Sequence, residues 1–406
     1  MKGKNYKVNF LQILERVIHN KPPLFIYSIN YGELLLIAQS HNLYALTCEG
    51  LKADPNFTES SLYESVITKQ MQIIAGQLQR TYAFLEVYQA FLRQEIRPIV
   101  MKGIICRQLY GELCNHRPSA DEDLLIRKSD FQAIWNILCS QGYIPERQGI
   151  TPNQLSELQE ISFYHPQYKL TIEVHTNPIG IENDIRRRMN DCFQEVFDHM
   201  KKIEIEGTEI WTMSDTDHFL FLIFHAFKHM MISGFGFRQA LDILLFYEQN
   251  ENVIDMTYIL DRLDELRAKS FFSDLIHLGN QYLGFHLEAP EEKHYVEELI
   301  EDMMENGIFG NTTQAQIMAR SMTNAALEKG NRKETPNLMR AIFPNKSYLI
   351  SGYPELVEHP WLLPVCWTKR WIRFLRDKTR YRGNLVGDSI EISSRKINLL
   401  KKYDIL

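Results

Sequence analysis

The chain contains no C-x-x-C pair, no long apolar run and no excess of positive charge, and each absence removes a class of protein. Its six cysteines (Cys48, Cys106, Cys114, Cys139, Cys192 and Cys366) are scattered among apolar or helix-like residues. That spacing reads as reduced, buried thiols rather than as a disulfide framework. No window reaches the ~18–20 consecutive apolar residues that a membrane-spanning helix needs. Met1 to Lys7 is basic but no apolar stretch follows, so no secretory signal is expected and the expected location is cytoplasmic. The net charge is −6, from 45 Lys/Arg against 51 Asp/Glu, which argues against a general polyanion binder and makes nucleic acid an unexpected partner. Internal repeats and low-complexity tracts are also missing.

What is present is an ordinary globular composition, 45% hydrophobic and 24% charged over 406 residues, a length that favours two or three units. Charge is spread unevenly. Glu288 to Glu305 holds eight acids and one lysine, while Lys369 to the end holds eleven Lys/Arg against four Asp/Glu. Residues 1–95 carry apolar residues at three- and four-residue steps and read as a helical scaffold. At Ile96 the texture changes. Ile96 to Met101 is strand-like, Lys102-Gly103 closes it, and Ile104 to Tyr110 reads as a helix. Ser129 and Gln132 have the spacing of a capping box, opening a helix that Gly142 would end. Lys202 to Trp211 reads as a hairpin turning near Gly207, Ser214 as the cap of a long helix from Asp215 to Ile232, and the chain to about 335 as helical. Prolines and three tryptophans mark the last 70 residues, which are also basic.

The chemistry concentrates in Arg117-Pro118-Ser119-Ala120-Asp121-Glu122-Asp123-Leu124-Leu125-Ile126. On a strand, Asp121 and Asp123 share a face roughly 6–7 Å apart. Two carboxylates that close repel each other unless a cation lies between them, and Mg²⁺, a hard ion suited to carboxylates and phosphate oxygens, is the natural candidate. In Lys169 to His175 the alternation is clean: Leu170, Ile172 and Val174 face one way, and Thr171, Glu173 and His175 the other. Glu173 supplies a third carboxylate. Glu122 falls on the face of Leu124 and Ile126, which reads either as a weakly buried strand or as a strand start open to solvent.

A strand ending in Lys-Gly, a helix, an Arg-x-x-x-Asp-x-Asp-Leu-Leu-Ile strand and a later Glu-Val-His strand resemble the DNA-polymerase-β-like nucleotidyltransferase superfamily. They look like its poorly characterised bacterial family with "KG…R…DxDLL" and "E-x-H". His225, His229 and the stretch Gly234-Phe235-Gly236-Phe237-Arg238-Gln239-Ala240-Leu241-Asp242 resemble that family's second block. The resemblance covers about residues 30–250 and, more loosely, the Pro/Trp-rich tail. It implies an α+β fold: a small mixed β-sheet core (96–212) with flanking helices, the N-terminal helical region (1–95), a large C-terminal helical region (213–335) on the substrate side, and a Pro/Trp-rich basic tail (336–406) packed on it. It further implies that Asp121, Asp123 and Glu173 ligate two Mg²⁺ ions bridging a nucleoside triphosphate, with Glu173 able to take a proton from the acceptor. Lys102, Gly103 and Arg117 would contact phosphate. The superfamily's Gly-Ser pair before the acidic strand is represented only by Lys102-Gly103, far upstream of Asp121.

Other residues keep two readings. His175 is either a phosphate or substrate contact or a structural histidine. His225 and His229, at i and i+4, suit domain packing or a substrate contact better than zinc, because the glutamate of a zinc hydrolase is missing. Arg238 and Asp242 are either a helix salt bridge or cleft-facing groups. The tail segment Trp367 to Arg376 either packs its tryptophans on the domain or lies on an anionic membrane surface or an acidic partner. The expected activity is Mg²⁺-dependent transfer of an NMP group from an NTP to a hydroxyl or phosphate of a small-molecule or peptide-derived acceptor. The alternatives are a catalytically silent nucleotide-binding or assembly protein and a modifier of tRNA or protein.

Overall fold

A computed structural model describes residues 2–21, 29–148, 160–180, 184–232, 234–306, 314–329, 343, 346–349, 353–356, 359–378 and 385–406. Among them lie a seven-stranded mixed sheet and 17 α-helices, the α+β arrangement of a sheet core with flanking helices. Four helices open the chain: α1 (Lys2–Ile18), α2 (Tyr31–Ser40), α3 (Tyr44–Leu51) and α4 (Pro55–Thr58). The 31-residue α5 (Tyr63–Arg93) follows. The sheet then forms from β1 (Ile99–Val100), β2 (Asp121–Leu125), β3 (Ile144–Pro145), β4 (Glu160–His165), β5 (Leu170–His175), β6 (Lys201–Ile205) and β7 (Thr208–Thr212), in the order β3-β4-β5-β2-β1-β7-β6. β2 runs parallel to β5 and β1 parallel to β7; the other neighbours are antiparallel.

One sheet face is closed by α5 and α7 (Phe131–Ser140), α6 being the short helix Ile104–Gln108 before β2. Val100, Leu124, Ile126, Ile172 and Val174 pack there with Phe84, Phe91 and Phe131. The opposite face meets the helical half. Ile99, Met101 and Leu125 join a core that runs through α9 (Asp215–Ile232) and α10 (Phe237–Asn250), α8 being the short helix Asp184–Asp191. The N-terminal helices share that second core: Phe10 lies edge-on to Phe237 at 5.7 Å, and the His41 ring is 5.0 Å from Phe237.

The local signals hold where one residue decides them. Ser214 Oγ accepts the Asp217 amide at 3.1 Å and donates to the Asp217 carboxylate, starting α9 where expected. Glu206 and Gly207, both at positive φ, form the hairpin turn, and Gly142 at φ +86° ends α7. The Ser129–Gln132 capping box is not made. Ser129 Oγ donates to Asp130, Gln132 turns to Asn136, and a short 3₁₀ turn leads into α7 instead. All six cysteines are free, but Cys139 is exposed rather than buried.

The uneven charge has a structural outlet. The acidic helix Val296–Asn306 faces the last helix, Leu385–Lys402, where Asp302 pairs with Lys396 at 2.5 Å and Glu305 with Arg395 at 2.6 Å. In the tail, Trp367 and Trp371 pack on Phe343, whereas Trp361 is 72% exposed. The side chains of Arg373 and Arg376 lie outside the described residues. No described helix is long and apolar enough to cross a membrane.

Candidate metal and nucleotide site

The parallel pairing of β2 with β5 builds the site. Its register sets Asp121 opposite Thr171, Asp123 opposite Glu173 and Leu125 opposite His175. Because alternate residues share a face, Asp121, Asp123, Glu173 and His175 all line one cleft of about 530 Å³. Antiparallel β4 adds a residue that sequence reasoning missed: Glu160, directly opposite His175 and on the cleft wall. The polar stretch before it gives no alternation from which its partner strand could be inferred.

One ligand atom from each of Asp123, Glu173 and His175 lies within 4.8 Å of the others. His175 Nε2 is 3.3 Å from Asp123 Oδ1 and 3.7 Å from Glu173 Oε2, while its Nδ1 is 3.8 Å from Glu160. Asp121 stands farther out, its side chain 34% exposed. Lys102 reaches between the two aspartates, 3.2 Å from Asp123 and 3.8 Å from Asp121. Asp123 Oδ2 is buried with no hydrogen-bond partner. A buried carboxylate oxygen left unpaired is costly, so the acid set has room for a cation beyond Lys102, and its hard oxygen donors suit a divalent ion.

Electrostatics follow from this crowding. Burial raises the Asp123 carboxyl, but Lys102 and His175 more than reverse it and hold it below the ordinary range. Glu173 goes the other way, to about 7, because burial and the charges of Asp123 and Glu160 outweigh His175. Burial lowers the His175 imidazole, yet its three acidic neighbours carry it up to about 9.

Cations line the opposite wall. Lys102 Nζ is 3.3 Å from His225 Nε2, which is 3.2 Å from His229 Nε2. Burial, reinforced by Lys102 and Lys228, holds both histidines well below their ordinary range, so they are neutral. Arg117 is fixed by a bidentate pair with Asp242 (Nε–Oδ1 2.8 Å, Nη2–Oδ2 2.5 Å), and Tyr110 also donates to Asp242. The Arg238–Asp242 helix pair is therefore not formed. Asp242 is engaged by a planar guanidinium that matches it with two hydrogen bonds, and Arg238 donates to the Pro118 carbonyl. Arg117 Nη1 and Arg238 Nε remain buried without partners, and both residues line the cleft. The 117–120 loop is thus held from two sides, since Gln77 and Arg80 of α5 bind the Ser119 amide and carbonyl.

Glu122 corrects both readings of β2. It is 1% exposed, accepts the Ile104 amide at 2.7 Å and pairs with Arg107 at 2.8 Å. Gly103, at φ +62°, passes so close above it that an added Cβ would sit 2.0 Å from Glu122 Oε2. Gly103 is the one expected site residue that does not line the cleft. The Lys-Gly turn is clamped onto β2 by Glu122, and the turn in turn aims Lys102 at the aspartates.

Acids on adjacent strands of a mixed sheet, with cations facing them across a cleft, define a site that can hold a divalent ion against an anionic substrate, as in enzymes that transfer phosphate-linked groups. The family model described as an uncharacterised nucleotidyltransferase matches residues 27–284, and the chain belongs to that family. No curated protein and no solved structure matches it.

Proposed function

We propose that the protein transfers an NMP group from an NTP to a hydroxyl or phosphate of a small-molecule or peptide-derived acceptor, with release of pyrophosphate. The observation that carries this reading is the in-register placement of Asp123 beside Glu173, with an unpaired buried oxygen on Asp123 and Lys102 and Arg117 in the same cleft. Two divalent ions, Mg²⁺ being the one expected, would be held by Asp121, Asp123 and Glu173 and would stabilise the attacking and leaving oxygens. Glu173, on the cleft wall, would accept the proton of an acceptor hydroxyl. That oxygen then bonds to the α-phosphorus as the bond to the β-phosphate oxygen breaks. Lys102, Arg117 and Arg238 offer cationic groups to the triphosphate. Asp242 acts by orienting Arg117, Gly103 by letting the Lys102 turn lie on Glu122, and His225 and His229 by bordering the cleft next to Lys102 as substrate contacts.

The test is pyrophosphate release by the full chain supplied with Mg²⁺, each NTP and candidate acceptors. Asp123→Asn should abolish release without unfolding the protein; turnover at the wild-type rate in that variant removes the assignment. A second reading, nucleotide binding without transfer, is favoured by one observation: the Lys102 ammonium already neutralises the aspartates. Calorimetry showing tight NTP binding with no pyrophosphate from any acceptor would select it.

A further inference from the structure

The two places where a cation could sit differ in donor chemistry. Asp121 and Asp123 offer oxygen only and face the open cleft. Asp123, Glu173 and His175 offer two carboxylates and an imidazole, and His175 is 4% exposed. Building on the reading above, we propose that the second set is a resident position that prefers first-row transition ions such as Mn²⁺ over Mg²⁺. Glu160 orients its imidazole, while Mg²⁺ enters with the nucleotide at the all-oxygen aspartate pair.

Three observations on the chain's own residues support this. Asp123 Oδ2 and both ring nitrogens of His175 are buried without a hydrogen bond of good geometry, and the ring nitrogens lie 3.3–3.8 Å from carboxylate oxygens of Asp123, Glu173 and Glu160. Orphaned donors and acceptors of this kind are rare and call for an unplaced partner. The ring is also set as ligating histidines usually are, with Nε2 toward two carboxylates and Nδ1 toward a third, Glu160, which can hold the tautomer and the ring plane. The β4–β5 register puts Glu160 there, directly opposite His175. The donor set then decides the ion. Mg²⁺ takes oxygen almost exclusively, whereas a nitrogen donor favours transition ions in the order of their general affinity.

The experiment is Mn²⁺ titration of the purified full chain, reading the loss of the free-ion EPR signal, followed by competition with MgCl₂. The wild type should bind one tight Mn²⁺ that Mg²⁺ displaces only at an excess on the order of 100-fold, and pulsed EPR should show nitrogen coupling to the bound ion. His175→Asn should remove that coupling and reduce the preference for Mn²⁺ by about tenfold or more. Glu160→Gln should weaken Mn²⁺ binding about 10–100-fold with the nitrogen coupling still detectable at saturation, as expected of a positioning residue. Asp123→Asn should abolish binding of either ion without NTP. Equal displacement by Mg²⁺, absence of nitrogen coupling, or a Glu160→Gln affinity equal to wild type overturns the proposal while leaving nucleotidyl transfer intact. Failure of the wild type to bind any divalent ion, with or without NTP, overturns both.

Discussion

Glu122 and Asp123 are neighbours on one strand and equally buried, at 1% and 2% exposure, yet they serve opposite purposes. Glu122 points to the α5 side, where the Ile104 amide and Arg107 satisfy both of its oxygens. Asp123 points to the cleft, where one oxygen meets only cations at ion-pair distance and the other meets nothing. A carboxylate whose hydrogen bonds are complete holds structure together. One whose hydrogen bonds are incomplete keeps capacity for a ligand, at a cost in stability that the rest of the fold sustains. Burial alone does not distinguish them; the partner list does.

The comparison predicts a crossed outcome for paired variants. Asp123→Asn should lower turnover on the order of 10³-fold or more, about 4 kcal/mol of barrier, with a smaller loss of stability than Glu122→Ala, because Glu173 and Glu160 still face His175 and Lys102 keeps Asp121. Glu122→Ala should do the reverse in kind, costing about 3–5 kcal/mol of stability because Arg107 is left buried without its counter-charge. Parallel losses of both properties in both variants would break the distinction. Gly103→Ala is the milder form of the second experiment. The added methyl would need the space of Glu122 Oε2 at a backbone angle unfavourable to any side chain, so a loss of about 1–3 kcal/mol is expected. Equilibrium urea unfolding measures it, and an unchanged midpoint would mean that the turn is not clamped.

Much of the acid wall is legible in the sequence. The alternation of Leu170, Ile172 and Val174 against Thr171, Glu173 and His175 is a local, period-two pattern, and all three apolar residues are fully buried. The aspartate pair, the hairpin at Gly207 and the Ser214 cap are local in the same sense. The partners of Glu122, Asp242 and His175 were not legible because they are remote in sequence. Arg107 lies 15 residues from Glu122 and Arg117 lies 125 from Asp242. Sequence spacing favours helical i,i+4 pairs, so Arg238 looked like the partner of Asp242; a bidentate tertiary pair took its place. Glu160 faces His175 only because β4 folds back beside β5, and residues 149–159 before it carry no strand signal.

Two histidines buried outside the cleft extend the comparison from acids to bases, with a smaller effect. His41 and His218 are buried away from the acid wall, and burial lowers their imidazoles to about 3 and about 4. His41 Nδ1 accepts the Phe237 amide at 3.3 Å, which requires the neutral ring. In the unfolded chain both titrate near 6.5. Since the folded values are depressed, their stabilising contribution is complete above about pH 6.5 and is lost as pH falls toward 4. Each should lower stability by about 1 kcal/mol per pH unit in that window. Thermal melts of the chelator-treated protein should therefore drop from pH 7 to pH 5, and His218→Gln should flatten that drop. An unchanged slope in the variant would show that the ring is protonated or solvated in the fold.

Lys102 gives the smallest effect and the sharpest one, because it touches both walls. Its ammonium is attracted to Asp123 and Asp121 and, on the other side, contacts His225. In the absence of nucleotide it therefore competes with any divalent ion for the same carboxylates. Lys102 is 19% exposed and Asp121 34%, whereas Asp123 is buried, so solvent screens the Asp121 pair most and a net strength of about 1 kcal/mol is expected. Lys102→Ala should accordingly tighten Mn²⁺ binding to the nucleotide-free protein, by about three- to fivefold, while weakening NTP binding, since one cation facing the phosphates is gone. Opposite signs from one substitution separate a competing lysine from one that merely organises the site, for which metal and nucleotide affinity would fall together. Calorimetric titrations of the variant with MnCl₂ and with NTP decide between the two.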